Sequence, residues 1–142
     1  MLDLAREHAA GALPVLVTPG YTAEARGRLG DDTTLAIEQL VVVDSDPGRA
    51  RATARGPLGF LGRVPAYQAN FRRMGFTDDE TTQLADRLVD ALVAWGDADS
   101  VSGHISRQLQ SGADHVAISV TTGSPGQSIE KWRQLAERLI TA

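Results

Sequence analysis

The first candidate binding site is the turn Thr18-Pro19-Gly20-Tyr21, which follows a short apolar run. The Thr18 hydroxyl and the free backbone amides of a proline-glycine turn, around Gly20 and Tyr21, could hold an anionic group of a substrate or cofactor. The same residues also suit an ordinary strand-to-helix turn in which Thr18 or Thr22 caps the helix. The sequence leaves the binding role and the capping role open.

A second candidate is the glycine-containing stretch 121–127, which follows the last predicted strand and precedes a predicted helix. Gly123 and Ser124 would let the backbone approach an anion closely at the N-terminus of that helix. A flexible connector has the same composition, and the stretch contains no Lys or Arg to balance a negative charge. Gly123 and Ser124 are therefore candidate anion-binding residues, with a flexible connector as the alternative.

The remaining polar residues do not suggest a metal site or a catalytic group. His8, His104 and His115 are not paired at metal-binding spacing. Glu38 and Gln39 interrupt an apolar strand, where structural hydrogen bonds are the expected role. Three acidic clusters each precede a predicted helix, where carboxylates cap free amides and complement the helix dipole. These clusters are Asp44-Ser45-Asp46, Asp78-Asp79-Glu80 and Asp97-Ala98-Asp99.

The elements that position these residues alternate between strands and helices. Strands are predicted at 14–18, 35–43 and 115–120, where apolar residues are continuous or alternate. Leu84, Leu88, Ala91, Leu92 and Trp95 share one face of a predicted helix. Because the connections are short, the strands should be parallel with right-handed crossovers. The predicted fold is α/β.

Two further local features are predicted from spacing. Gly11 and Gly112 stand at equivalent points before predicted strands, so each is expected to end a helix in a left-handed conformation. The final helix begins at Ser128, and five of its apolar residues are expected to face inward. They are Ile129, Trp132, Leu135, Ala136 and Leu139.

Composition excludes several classes of partner. The chain has 142 residues, a net charge of -4 and no cysteine. Without a basic stripe to neutralise phosphates, nucleic acid is not the expected partner. Without a long apolar run or a signal-peptide pattern, no membrane association is expected, and a cytoplasmic protein is the simple interpretation.

The small number of strands is unusual for the length of the chain. Three parallel strands among six or so helices would leave open sheet edges, whereas a closed barrel of this kind needs eight strands in roughly 250 residues. The inner face is then expected to expose apolar side chains, such as Val15, Val17 and Leu40 or Val41. The sequence therefore predicts a piece of a larger fold.

Across nearly its whole length the sequence resembles the C-terminal half of luciferase-like oxidoreductases that use the deazaflavin coenzyme F-420. The resemblance rests on the order and spacing of short segments. These are Met1-Leu2-Asp3-Leu4-Ala5, Leu16-Val17-Thr18-Pro19, Glu38-Gln39 before Val41-Val42-Val43, Asp46-Pro47 with Ala50-Arg51, Met74-Gly75-Phe76, the run from Arg87 to Asp97, and Gly112-Ala113-Asp114-His115-Val116.

This resemblance implies a partial (β/α)8 TIM-type barrel, formed by residues 1–142, with a helical insertion around 56–83. It implies hydride transfer or monooxygenation on a small organic substrate, with coenzyme F-420 or FMN supplying the chemistry. Relatives carry further strands and a phosphate loop in an N-terminal half, which is expected to be absent here. The isolated chain is therefore not expected to bind the coenzyme tightly.

Two interpretations of function follow from the resemblance. In the first, the chain is the C-terminal part of an oxidoreductase, and Thr18, Gly20, Tyr21, Gly123 and Ser124 contribute to its site. In the second, it is a truncated, non-catalytic domain that folds by self-association or against a partner half-barrel. A titration with the deazaflavin distinguishes the two.

Overall fold

A computed structural model describes residues 1–123 and 128–140 as an α/β fold. The helices are α1 (Leu2–His8), α2 (Pro19–Leu29), α3 (Pro47–Leu61), α4 (Pro65–Arg73), α5 (Asp78–Gln83), α6 (Asp86–Leu92), α7 (Ala98–Gln110) and α8 (Ser128–Ile140). The strands are β1 (Gly11–Ala12), β2 (Thr34–Val43), β3 (Val93–Gly96) and β4 (His115–Val120). Within the described ranges, no helix is long and apolar enough to cross a membrane.

The sheet is parallel and is built around β2. Leu40 pairs with Val93 of β3 and with Ser119 of β4, so β3 and β4 lie on opposite sides of β2. Strand β1 pairs with the start of β2, and Val15 extends this contact to Glu38. The sheet is therefore three strands wide, and its parallel strands agree with the predicted α/β fold. Strands β1 and β3 pair with successive parts of the same side of β2.

One face of β2 is buried beneath helices. Leu35 and Ile37 pack with Ala25 and Leu29 of α2, and Val41 and Val43 pack with residues of α7 and α8. These β2 residues alternate along the strand, because side chains two apart point to the same face. Burial of this alternating set fixes the register of β2 against its helices.

The upper part of the other face of β2 is covered by α3 and α6. Val42 and Val93 belong to an apolar cluster with Ala54, Leu58 and Phe71, all of which are buried. Phe71 lies on α4, so part of the predicted insertion around 56–83 belongs to the core. Pro57 lies inside α3, which nevertheless continues to Leu61.

Most of the predicted helix ends are confirmed. Asp46 caps α3 through the Arg49 amide, and Asp97 caps α7 through the Ser100 amide. Thr77 and Glu80 form the capping box of α5. Helix caps of this kind depend on only a few neighbouring residues, so they can be predicted without knowledge of the tertiary fold.

Gly112 confirms its predicted role, whereas Gly11 does not. Gly112 follows α7 with φ +103°. Helix α1 ends at His8, and Gly11 lies within β1, where a Cβ atom would approach the Thr34 carbonyl oxygen to 2.5 Å. Gly11 is therefore required by a close backbone approach and not by a helix end.

Two predicted elements are placed differently. The segment 14–18 is not a continuous strand, because pairing begins at Gly11 and Leu16 turns the chain with φ 54°. The predicted helix through Trp95 ends at Leu92, and 93–96 is a strand. A short apolar run fits a buried helix and a buried strand equally well, so periodicity alone could not decide.

The exposed apolar side chains are not the predicted ones. Val17 and Val41 are buried, and Val15 and Leu40 pack against the core. On α8, Leu135 is buried, but Trp132 is 43% exposed and Ile129 is 74% exposed, contrary to the prediction. Met1, Leu4 and Leu13 are exposed at the opposite end of the sheet, near β1, and Phe60, Val64, Leu109 and Ile140 are exposed elsewhere.

A buried polar network links the sheet to two helices. Gln108 of α7 donates to the Val17 carbonyl at 3.1 Å and to Gln39 Oε1 at 3.2 Å. Thr22 of α2 donates to Gln108 Oε1 at 2.6 Å, and Gln39 donates to the Leu92 carbonyl at 3.1 Å. The structural role predicted for Gln39 is confirmed.

Candidate functional site

The carboxyl ends of β2, β3 and β4 open into one cleft, which we call the strand-end cleft. Parallel strands bring these ends to the same edge of the sheet, which is where α/β folds place their ligands. The part beside β4 measures about 260 Å³, and the part beside β3 measures about 380 Å³. Polar residues that line the cleft are Asp44, Ser45, Arg49, Thr53, Asp97, Thr121, Thr122, Lys131 and Gln134.

Asp44 and Arg49 form an ion pair in this cleft. Arg49 Nε lies 3.0 Å from Asp44 Oδ2, and Arg49 Nη2 lies 2.9 Å from Asp44 Oδ1. These bonds, together with the backbone amide of Asp46, hold the pKa of Asp44 below its ordinary value. Asp44 is therefore a charged acceptor at neutral pH and is unsuited to the role of general acid.

Lys131 of α8 lines both parts of the strand-end cleft and is half-buried. Its positive charge also lowers the pKa of Asp44. Among the residues that the structure describes, Lys131 forms no ion pair within 4.0 Å. The cleft therefore contains one cation that no carboxylate of this part of the chain neutralises by contact.

The structure places Thr18 at the start of α2, where its hydroxyl accepts a hydrogen bond from the Tyr21 amide at 3.2 Å. The Thr18 hydroxyl also lies 3.7 Å from Met74 Sδ. Gly20 is exposed in the first turn. Thr18 thus acts as a helix cap, which was the alternative to a binding role.

Tyr21 faces a different region from the strand-end cleft. It lines an apolar pocket of about 290 Å³ with residues of α1 and with Gly11 and Leu13 near β1. That pocket shares no lining residue with the strand-end cleft. The structure therefore does not bring Tyr21 together with Gly123.

Gly123 is an exposed residue at the margin of the strand-end cleft. Ser124 lies outside the described residues. The stretch 121–127 contains no Lys or Arg. Two basic residues from other helices, Arg49 and Lys131, line the same cleft as Gly123. A binding role for Gly123 and Ser124 stays a prediction.

A second cleft, of about 470 Å³, adjoins β3 and contains His104 of α7. Burial, and then the charge of Arg107, lower the pKa of His104, while Asp90 opposes the shift. Asp90 accepts hydrogen bonds from Arg51 at 2.7 and 2.9 Å and from Trp95 Nε1 at 2.8 Å. This arrangement fixes Trp95 and Asp90 and leaves His104 neutral near pH 7.

The lower part of the sheet presents a partly open face, formed by Ala36, Glu38, Ala117 and Ser119. These residues are half-buried, and they point away from the helices that cover Leu35 and Ile37. Ser119 Oγ donates to Glu38 Oε1 at 2.7 Å. Small side chains around one paired carboxylate form a flat wall, which we call the open face.

Solved structures with the same fold include two enzymes that depend on coenzyme F-420. One is the coenzyme F-420 dependent tetrahydromethanopterin reductase from Methanopyrus kandleri, with 20% identity and a TM-score of 0.69. The other is an F-420-dependent secondary alcohol dehydrogenase in complex with an F-420-acetone adduct, with 17% identity and a TM-score of 0.65. The likeness is one of fold.

The chain spans less than half of either structure. The matches cover 96% and 94% of this chain but only 46% and 44% of the two enzymes. Neither protein-family models nor curated proteins gave a match to the sequence. The fold is that of part of a (β/α)8 barrel, as expected from the resemblance.

Arg49 and Lys131 are residues of interest that the sequence did not single out, and His104 was named there only as unsuited to metal binding. Arg49 belongs to the first turn of α3, and Lys131 belongs to α8, so they are 82 positions apart in the chain and meet only after folding. One signal was available, because Lys131 is the only lysine in the sequence. Among the described residues, no cluster of three or more potential ligands could hold a metal ion.

Proposed function

We propose that this chain is the C-terminal part of an oxidoreductase barrel that uses coenzyme F-420 to transfer a hydride to or from a small organic substrate. The observation that carries the proposal is the fold, which matches two F-420-dependent enzymes over at least 94% of this chain. We favour F-420 over FMN, because both of these enzymes are described by their dependence on F-420.

The residues present fit one wall of a coenzyme site. The open face offers small side chains, Ala36 and Ala117, against which a planar ring could lie, and Ser119 and Glu38 can hydrogen-bond at its edge. Lys131 suits an anionic arm at the carboxyl end of the same sheet. When bound, the coenzyme supplies the hydride chemistry, and this chain's residues position it and restrict water.

A complete site would need further strands from a partner. Strand β2 has neighbours on both sides, whereas β1, β3 and β4 each have an open side within the described sheet. Exposed apolar side chains lie near β1 and β4, with Leu13 beside β1 and Trp132 on the helix that packs against β4. We therefore include self-association, or pairing with a companion half-barrel, in the proposal.

Titration with coenzyme F-420, followed by the fluorescence of the deazaflavin, tests the proposal. We expect weak binding at low protein concentration and tighter binding in fractions that sedimentation shows to be associated. FMN at the same concentration is the matched ligand control and should bind less well. Absence of F-420 binding by every species, at every concentration, would contradict the proposal.

The competing function is a non-catalytic domain that folds against itself or a partner. Capping of α2 by Thr18 favours it, because that hydroxyl is already used within the fold. In this case the chain associates but no associated species binds the deazaflavin. The titration and the sedimentation measurement together therefore separate the two functions.

A further inference from the structure

The strand-end cleft contains a cation in an unusual setting. Lys131 is the only lysine among 14 basic residues, and it lines both parts of the cleft. Most of the arginines are used in ion pairs on the surface, such as Arg133 with Glu130 at 2.9 Å. Within residues 1–123 and 128–140, Lys131 has no such partner.

The rest of the cleft is suited to an oxyanion. Thr53, Thr121 and Thr122 line the part beside β4, and hydroxyl and amide donors are the groups that accompany a cation in phosphate sites. Asp44 is the acidic residue that lines the part beside β4, and it is held by two hydrogen bonds from Arg49. Asp97 lines only the part beside β3, where its carboxylate caps α7 through the Ser100 amide. Because Arg49 largely cancels the charge of Asp44, the ammonium of Lys131 remains available to a ligand.

We propose that Lys131 is the anchor of an oxyanion-binding site in the strand-end cleft, with a phosphate monoester or diester as its ligand. The phosphate could belong to a coenzyme or to a substrate, since the chemistry of recognition is the same. Lysine binds phosphate as a point charge on a flexible stem, so it needs no fixed bidentate geometry to hold an anion in the cleft. The proposal identifies the group that would hold the anionic arm in the proposed function, but its test uses inorganic phosphate, so it can fail separately from the proposed use of the deazaflavin.

Acylation of amines provides a direct test, because Lys131 carries the only side-chain amine of the chain. The full chain is treated with an N-hydroxysuccinimide ester, and modification is located by mass spectrometry. We expect inorganic phosphate and pyrophosphate to slow the acylation of Lys131 severalfold, relative to chloride at the same ionic strength. The exposed amine of Met1 is the internal control and should react at an unchanged rate.

The phosphate affinity of variants provides a second test that does not depend on acylation of the Lys131 amine. Phosphate should raise the melting temperature of the parent protein, because a ligand of the folded state stabilises it. Lys131→Gln should lower phosphate affinity about tenfold, as expected for the loss of one charge-assisted hydrogen bond. Arg133→Gln removes the same charge from the same helix outside the cleft and should retain the parent affinity.

Asp44→Asn is expected to act in the opposite direction. It removes the carboxylate and releases the Arg49 guanidinium, so phosphate should bind more tightly than in the parent. The proposal is overturned if phosphate slows the acylation of Lys131 and Met1 equally, or if Lys131→Gln retains the parent affinity. A coenzyme arm is distinguished from a phosphorylated substrate by whether F-420 itself protects Lys131.

Discussion

The backbone at Gly112 is adapted to a residue without a side chain. Its φ of +103° is disfavoured for other residues, and a Cβ atom there would lie 2.8 Å from Arg26 Cγ. Arg26 also donates to the Gly112 carbonyl at 2.8 Å, so it cannot move away without losing that bond. The turn between α7 and β4 therefore depends on glycine.

Gly112→Ala should lower the free energy of unfolding by at least about 1 kcal/mol, measured by urea denaturation. The matched control is Gly27→Ala, in the interior of α2, where an added Cβ meets nothing within 4 Å. That control should stabilise the protein by about 0.5–1 kcal/mol, because alanine favours the helix. Equal effects of the two substitutions would show that neither the φ angle nor Arg26 matters.

His104 should make stability depend on pH. Its lowered pKa, caused mainly by burial, means that the unfolded chain binds a proton more readily than the folded chain does. This contribution to stability is complete above the unfolded pKa of about 6.5 and is lost as the pH falls through the lowered pKa of the folded state. Stability should therefore decrease on acidification below about pH 6.5.

Urea midpoints at about pH 7.5 and about pH 5.5 test this expectation, because they bracket the unfolded pKa. His104→Gln should reduce the difference between the two midpoints. His115→Gln, which changes an exposed histidine, serves as the comparison and should leave the difference close to that of the parent. An unchanged difference in His104→Gln would mean that burial of this side chain has no energetic effect.

At the scale of elements, the contacts of Gln108 connect α2, α7 and β2. Gln108→Leu keeps a similar volume but leaves the Val17 carbonyl, Gln39 Oε1 and the Thr22 hydroxyl without this partner. We expect a loss of about 1–3 kcal/mol, the cost of leaving a buried polar group unsatisfied. Gln110→Leu, on the exposed end of the same helix, is the control.

The outcome is read from urea denaturation of both variants. If Gln108→Leu is as stable as Gln110→Leu, the buried network does not determine how α7 packs on the sheet. A lowered midpoint accompanied by a lower urea dependence would indicate that the packing of α2 and α7 has loosened as well.

Elements defined by neighbouring residues could be predicted, whereas those defined by distant contacts could not. The caps at Asp46 and Asp97 depend on a few adjacent residues, and both are present. The change from helix to strand at Val93 depends on pairing with Leu40 of β2. Periodicity within a short apolar run does not contain that information.

The same distinction applies to the site. Thr18 and Gly123 were selected because they follow strands, and Thr18 proved to cap a helix. Lys131 meets Arg49 in the strand-end cleft only because β2 and β4 are neighbours. The sequence indicated the edge of the sheet that opens into the strand-end cleft but not the cations that line it.

At the scale of the whole molecule, β2 is the only strand of the described sheet that is paired on both sides. The open sides of β1 and β4 leave backbone groups unpaired, and Leu13, Ile129 and Trp132 expose apolar surface near them. Covering such surface is favourable by about 25 cal/mol per Å². This is the physical reason to expect association, and it does not depend on the coenzyme.

Sedimentation equilibrium at micromolar concentration, read beside a thermal melt, tests most directly the claim that this fold is part of a larger barrel. We expect an average mass that rises with concentration above the 15.1 kDa of one chain, or a broad melt that reflects loose packing. A single species of 15.1 kDa with a sharp cooperative transition would contradict the claim and indicate a self-sufficient α/β domain.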